Sequence, residues 1–401
     1  MNPILPLCAF YLFCAVITVQ VFFYLFFFSR VAFHKAKSRP GGGASTAGGG
    51  AAATDSGAAA DNAAGAADQT LPVSVIICAR DESRNLSERL PSVLEQDYPA
   101  AHEVLVINDN SYDDTKFVLD RFTSAYPRLK PVELLQEAKL IVGKKFPLSV
   151  GIKTARYDTL LLTDADCSPA SPEWIRAVQD AYHPGTEVVL GYGPYEKKPG
   201  MLNRIIRFET FHTALQYFSY AEAGLPYMGV GRNLSYKKDL FFRNKGFAGH
   251  NQIPSGDDDL FINAVATGRN TRIVLDASSF VYSPPKTTWA EWLRQKQRHY
   301  TTSRYYKPVH KFLLGLYSGS HLLVYPLLVL NILFTPTPWY WFVWPVFGTR
   351  LVLQSVIFYE SMRKLKERDL FWWFPLLDLW QFIYYFIFAP AIWKRPAARW
   401  K

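Results

Sequence analysis

Val73-Ser74-Val75-Ile76-Ile77-Cys78-Ala79-Arg80-Asp81-Glu82-Ser83-Arg84-Asn85 is the stretch whose reading decides the fold. Its first half, Val73–Cys78, is a short β-branched run and reads as a strand. Its second half turns abruptly polar and acidic, and Leu86–Glu95 then places apolar residues at helical spacing. The same unit recurs downstream. Val104–Asn108, Val132–Leu135, Thr159–Thr163 and Val188–Gly191 read as strands, separated by helices over Lys116–Tyr126, Phe146–Ala155 and Glu173–Tyr182. Strands alternating with helices predict an α/β domain on a mostly parallel sheet covered on both faces. Ligands of such sheets bind beyond the carboxyl ends of the strands.

Acidic residues stand at those ends. The first strand runs into Asp81 and Glu82, and the second into Asn108-Asp109-Asn110-Ser111, with Asp113 and Asp114 just beyond. The fourth ends at Thr163-Asp164-Ala165-Asp166. A single Asp after a strand is commonly the N-cap of the next helix, the role expected of Asp114. Recurrence after successive strands points instead to one shared ligand. Asp164 and Asp166, one residue apart on a turn leaving a strand, can both approach one hard cation, Mg²⁺ or Mn²⁺. Such an ion keeps waters and substrate phosphates in its other positions. Lys144, in Gly143-Lys144-Lys145, has two readings: a positive group for the nucleotide, or a solvated surface lysine. The cysteines Cys8, Cys14, Cys78 and Cys167 show no zinc-ligand spacing, which predicts a reducing compartment without a disulfide framework. Cys167 reads as a small residue packed beside the acidic motif.

The blocks Val75–Glu82, Val106–Ser111 and Asp164-Ala165-Asp166 resemble, in order, the motifs of family 2 inverting glycosyltransferases with the GT-A fold, over roughly Leu71 to Arg304. That resemblance implies a nucleotide-diphospho-sugar transferase domain. Asp81, Glu82 and Asp109 would contact the base and ribose, while Asp164 and Asp166 would hold the metal and the sugar diphosphate. Ser255-Gly256-Asp257-Asp258-Asp259-Leu260 resembles the family's Gly-Glu-Asp-x-Asp-Leu segment. Asp258 then stands at the catalytic base, with Asp257 where Glu is usual, and Asp259 simply opens the next helix. Gln295-Lys296-Gln297-Arg298-His299 resembles the Gln-x-x-Arg-Trp motif, placing Gln295, Arg298 and His299 at the acceptor and diphosphate, with His299 departing from the usual Trp. Gly229-Val230-Gly231-Arg232-Asn233-Leu234-Ser235 resembles the acceptor-side loop, which would bring Gly231 and Asn233 to the substrate. A plain turn before a strand over Asn233–Lys237 is the competing reading. Leu202–Tyr220 carries Ile, Phe and Tyr at helical spacing and reads as core or membrane packing.

The flanks are of another kind. Residues 1–30 hold an apolar run, Ile4–Phe28, long enough to cross a bilayer. Arg30, Lys35, Lys37 and Arg39 follow it, which sets the N-terminus outside and the rest in the cytoplasm. Residues 31–70 are rich in Gly and Ala and read as a flexible linker. The catalytic domain spans 71–310, and 311–401 form a C-terminal membrane region. There Phe312–Phe334 and Trp339–Tyr359 suggest a helical hairpin, followed by the basic cluster from Arg363 to Arg368. A third segment, Leu370–Trp393, either spans or is re-entrant, because full crossing would place its basic tail outside. Thr288–Tyr306 mixes Trp and Tyr with Arg and Lys and suits a helix lying on the cytoplasmic membrane surface. Arg350 and Asp378, buried in apolar stretches, are expected to pair. The net charge of +10 is concentrated at these membrane edges, so nucleic acid is not the expected partner.

Together these readings predict a multi-pass protein of the cell membrane. It would transfer a sugar from a nucleotide-diphospho-sugar, a UDP-sugar by the resemblance, to a lipid-linked or saccharide acceptor. A processive polysaccharide synthase is the nearest alternative. A nucleotidyltransferase and a non-catalytic nucleotide-sugar-binding scaffold stand further off.

Overall fold

The computed structural model describes residues 4–35, 71–135 and 143–388. Most of the Gly/Ala-rich linker and the basic C-terminal tail lie outside the described residues.

Among the described residues nine strands follow in chain order: β1 (Val73–Ala79), β2 (His102–Asp109), β3 (Leu129–Leu134), β4 (Thr159–Asp164), β5 (Ser168–Pro169), β6 (Val188–Leu190), β7 (Leu234–Lys237), β8 (Thr271–Ile273) and β9 (Val281–Tyr282). Seven form one sheet in the order β3-β2-β1-β4-β7-β6-β8, and β5 pairs with β9 beside it. β3, β2, β1 and β4 run parallel, whereas β7 lies antiparallel to both β4 and β6. The helices over Ser83–Leu94, Thr115–Ala125, Lys145–Thr154 and Trp174–Gln179 fall where the spacing places them.

Every residue of β1 is buried, and its alternation supplies two cores. Val73, Val75 and Ile77 meet Leu86, Leu90 and Val93 of Ser83–Leu94 on one face, with Trp174 and Ile175. Ile76 and Cys78 face Leu148 and Ile152 of Lys145–Thr154 on the other. Each such aliphatic side chain contributes about 1.5–3 kcal/mol on burial. The second core continues without interruption into the helix Met201–Glu222 and on to Phe23, Tyr24, Phe27 and Phe358 of the apolar helices. Met201–Glu222 therefore welds the catalytic domain to the membrane region.

Among the described residues three helices are long and apolar enough to cross a membrane: Pro6–Ala32, Pro308–Phe334 and Tyr340–Lys364. The pairing of Arg350 with Asp378 is present. Arg350 Nη2 lies 3.0 Å from Asp378 Oδ2, Gln354 Nε2 donates to Asp378 Oδ1 at 2.6 Å, and Tyr325 donates to the same carboxylate. These contacts tie the helix Phe374–Phe388, which carries Asp378, to both helices of the hairpin. Within Trp289–Tyr300, Trp292 is 1% exposed and packs against Trp380, Tyr384 and Phe388 of Phe374–Phe388, while Trp289 stays 45% exposed.

Candidate active site

The register of the sheet brings the acidic loops side by side. Cys78 of β1 pairs with Asp164 of β4, and Ala79 with Asn108 of β2, so the strands end at one edge. The loop after β1 leaves through Asp81, which adopts a left-handed φ of 54°. The loop after β2 holds it there: Ser111 Oγ accepts from the Asp81 N–H at 2.9 Å, and Asp81 Oδ1 accepts from the Tyr112 N–H at 2.8 Å. Capping falls to Asp113 rather than Asp114. Its carboxylate accepts from the N–H groups of Thr115 and Ser83, both at 3.0 Å, and so fixes two helix starts. Burial opposes ionisation there, but the hydrogen bonds from Thr115 and Ser83 hold the Asp113 carboxyl down at about 2.

Behind these loops lies a cavity of about 650 Å³. Glu82, Lys144, Asp164, Asp166, Gly231, Asp257, Asp258, Gln295 and Arg298 all line it. Asp81 and Asp109 do not; they stand beyond its lining on the neighbouring strand ends, Asp81 exposed and Asp109 1% exposed. Asp164 forms an ion pair with Lys144, whose side chain is 13% exposed, so that lysine is not a solvated surface residue. Gly143 positions it with φ +85°, where a Cβ would lie 2.2 Å from the Pro254 carbonyl oxygen. Burial would raise the Asp164 carboxyl, yet Lys144, with Arg232 and Arg298, holds it below its ordinary range. Burial and the Asp164 charge push Asp166 upward.

Oxygens of Asp164 and Asp166 and the Cys167 sulfur lie within 4.8 Å of one another. The two carboxylates are hard oxygen donors one residue apart on one turn, which fits a divalent cation such as Mg²⁺ or Mn²⁺. Cys167 does not belong to that set. Its thiol is buried, lies 3.0 Å from Ser283 Oγ and donates to Asp166 Oδ1 at 3.3 Å, and burial raises it well above the ordinary thiol range.

Opposite this pair stands the acidic triplet. Gly256, at φ +96°, turns the chain so that Asp258 caps the helix Asp259–Val265. Asp258 Oδ2 accepts from the Gly231 N–H at 2.8 Å and Oδ1 from the Asp259 N–H at 2.7 Å. Burial first, then the charges of Asp257 and Asp259, push the Asp258 carboxyl up to about 7. Asp259 does more than open a helix: its Oδ2 accepts from Thr302 at 2.5 Å and from Tyr306 at 2.7 Å. The acidic triplet is thereby tied to the segment that follows Arg298.

The family-level comparisons agree with this layout. The sequence model of glycosyl transferase family 2 matches residues 74–240, and that of glycosyl transferase family group 2 matches residues 161–388. The chain is a family 2 glycosyltransferase. It is 36% identical over 125 residues to glycosyltransferase AglE of Haloferax volcanii, 30% of this chain and 40% of that protein. Over 237 residues it is 24% identical to the probable glycosyltransferase YdaM of Bacillus subtilis, 56% of this chain and 54% of that one. The glycosyltransferase thus spans about half the length of these relatives. Its fold is that of the mannosyltransferase PcManGT from Pyrobaculum calidifontis, solved with GDP-Man and Mn²⁺, at 18% identity and a TM-score of 0.55 over 94% of this chain and 99% of that one.

The structure moves some residues and adds others. Asn233 does not line the cavity: its amide donates to the carbonyls of Tyr192 and Ser279 at 2.9 and 2.7 Å and accepts from Trp174 Nε1 at 3.0 Å. The neighbouring Arg232 faces the cavity instead, with its guanidinium 4.4 Å from the centre of the Tyr195 ring and 3.2 Å from Ser283 Oγ. Gln295 Nε2 donates to the Tyr195 hydroxyl at 3.3 Å, completing a chain from Arg232 to the Gln-x-x-Arg helix. The side chain of His299 lies outside the described residues. Lys145 donates to the carbonyls of His250 and Ile253 at 2.6 and 2.7 Å, pinning the loop before the acidic triplet. Glu209 pairs with Lys296 in the cavity wall.

Proposed function

We propose that the glycosyltransferase moves a sugar from a nucleoside-diphosphate sugar, a UDP-sugar on the family's pattern, to a lipid-linked or saccharide acceptor at the cytoplasmic membrane face, inverting the anomeric carbon. The observation that carries this reading is Asp258. It lines one cavity with Asp164 and Asp166, its carboxylate is aimed by the Gly231 and Asp259 N–H groups, and burial with the Asp257 and Asp259 charges pushes its carboxyl up to about 7. A base near the working pH is both ionised in part and strong enough to take a hydroxyl proton.

In this mechanism the acceptor oxygen gives its proton to an Asp258 oxygen and forms the new bond to the anomeric carbon. The bond from that carbon to the donor diphosphate breaks on the opposite side. Gly231 and Asp259 aim the base through their N–H groups. Arg232 and Arg298 lie close enough to lower Asp164 and so can also offset charge on the departing nucleoside diphosphate. Asp164 and Asp166 would hold a divalent ion, whose chemistry at this place is to neutralise the diphosphate. Asp81 and Asp109, beyond Glu82, would meet the nucleoside end.

Orientation follows from charge. Arg30 and Lys35 at the end of the first apolar helix, and Arg363 and Lys364 at the end of Tyr340–Lys364, share a side with the catalytic domain, which the positive-inside rule makes cytoplasmic. Exposed Trp341 and Trp344 mark the opposite end of that last helix. A processive synthase is the second reading, favoured by the Gln295 and Arg298 pattern; product length separates a single addition from a polymer. The decisive variant is Asp258→Asn in membranes: transfer falls by about 10²–10⁴-fold if Asp258 is the base, and unchanged transfer removes it from that role.

A further inference from the structure

Three successive residues at the entry to the helix Lys145–Thr154 touch both halves of the site. Gly143 lies against Pro254, where a Cβ would come within 2.2 Å of the carbonyl oxygen. Lys144 turns to the metal half and pairs with Asp164. Lys145 is 0% exposed, and its ammonium donates to two main-chain carbonyls, those of His250 and Ile253, at 2.6 and 2.7 Å. The chain then runs through Pro254 and Ser255 to Gly256, which turns it at φ +96° into Asp257-Asp258-Asp259. Lys145 therefore grips the backbone from which the acidic triplet leaves. Two carbonyls need only neutral donors, and burying an ammonium is costly unless opposite charge answers it. Burial draws Lys145 down to about 8, and Asp257, Asp259 and Asp258 resist that fall with their charges. Such an influence is mutual, so the Lys145 charge favours the ionised form of each acid. His250, on the same loop, is held at about 4 by burial and then by the Lys145 charge, and so stays neutral near pH 7.

We infer that Lys145 is a positioning residue for the base: its ammonium fixes the loop that delivers the acidic triplet and supplies the positive charge that lets Asp258 stand ionised among two other acids. Lys145 touches neither substrate nor reacting atoms and acts through Asp258 alone. The inference rests on the reading of Asp258 as the base and adds the group that keeps that base usable. The signs agree. Lys145 keeps its proton below about 8, so its charge is present while Asp258 titrates at about 7. Removing that charge disfavours the Asp258 carboxylate and moves its ionisation to higher pH, opposite to the effect of removing the Asp257 charge. The two adjacent lysines thus divide the work, Lys144 holding Asp164 and Lys145 holding the triplet.

The test compares Lys145→Gln, Lys145→Met and Lys145→Arg in the full chain, in native membranes supplied with a panel of UDP- and GDP-sugars. Nucleoside diphosphate release is followed across neutral pH. Gln keeps a donor for one carbonyl without the charge, Met keeps only the stem, and Arg keeps charge and donors. The acid limb of kcat/KM should move up by about half a pH unit or more in Lys145→Gln and Lys145→Met. It should stay in place in Lys145→Arg, whatever the height of the profile. A merely structural lysine would change the height and leave the limb where it is. A limb that Lys145→Gln leaves in place overturns the inference, and so does an equal movement in Lys145→Arg. Where neither neutral variant folds, Lys145→Gln/Asp257→Asn removes one charge of each sign, and its limb should lie above that of Asp257→Asn alone; coincidence of the two limbs overturns the inference. The parent reading fails differently. If wild type releases nucleoside diphosphate from none of the donors, or shows no acid limb near 7, Asp258 is not the base and this inference falls with it.

Discussion

Asp257→Asn is the most informative single change in the site, because it alters the base without touching it. Asp258 is raised from an ordinary 3.8 to about 7, by burial first and then by its neighbours Asp257 and Asp259. The base works ionised, so kcat/KM should fall as pH drops through about 7, tenfold for each pH unit below it. Removing the Asp257 charge favours ionisation of Asp258 and moves that acid limb to lower pH. With burial the largest cause and two acids sharing the remainder, the movement should be about one pH unit. Asp257 lines the cavity, so the height of the profile is free to change as well; the position of the limb is the readout. The assay is nucleoside diphosphate release by full-length protein at low acceptor concentration, followed across neutral pH. A wild-type limb near the ordinary carboxyl value, or a limb that Asp257→Asn leaves in place, would refute the reasoning.

Three further outcomes follow from the packing. Asp378→Asn or Arg350→Met should destabilise the membrane region by about 3–5 kcal/mol, since each leaves a buried partner uncompensated, and thermal unfolding in detergent reads this; exchanging the two charges should recover part of the loss. Asp113→Ala should lose about 1 kcal/mol of capping stability near neutral pH. Because the folded carboxyl is held at about 2, that contribution is complete above the ordinary value and fades as pH falls toward about 2, so wild type and variant should converge in acid. Gly143→Ala forces a side chain onto the Pro254 carbonyl and out of a φ of +85°; donor binding by calorimetry should weaken as Lys144 loses its position, while an unchanged affinity would contradict that account of the glycine.

Much of this architecture was readable before any coordinates. β1, β2 and β4 are short, largely apolar runs, and the acids after them fall at the end of the sheet where ligands bind, so Asp164 and Asp258 needed only the family's order to find each other. Other features depend on facts that no local pattern carries. β8 and β9 are too short to show an alternation. Arg232 rather than Asn233 faces the cavity because side chains alternate at the entry to β7, and which of two neighbours faces inward depends on the register with β4 and β6. The helix Trp289–Tyr300 has the composition of a surface helix, but its Trp292 is covered by a segment far along the chain, Phe374–Phe388. Glu209 and Lys296 meet across a similar distance, and nothing beside either residue announces the pair.

The central claim is that one cavity combines a diphosphate site at Asp164 and Asp166 with a base at Asp258. It is tested most directly by supplying purified full-length protein with a panel of UDP- and GDP-sugars and measuring nucleoside diphosphate release with Mn²⁺, with chelator, and after Mn²⁺ is restored. The account predicts release from at least one donor, its loss with chelator, its return with Mn²⁺, and its absence in Asp164→Asn. Release that persists undiminished in chelator and in Asp164→Asn would contradict it.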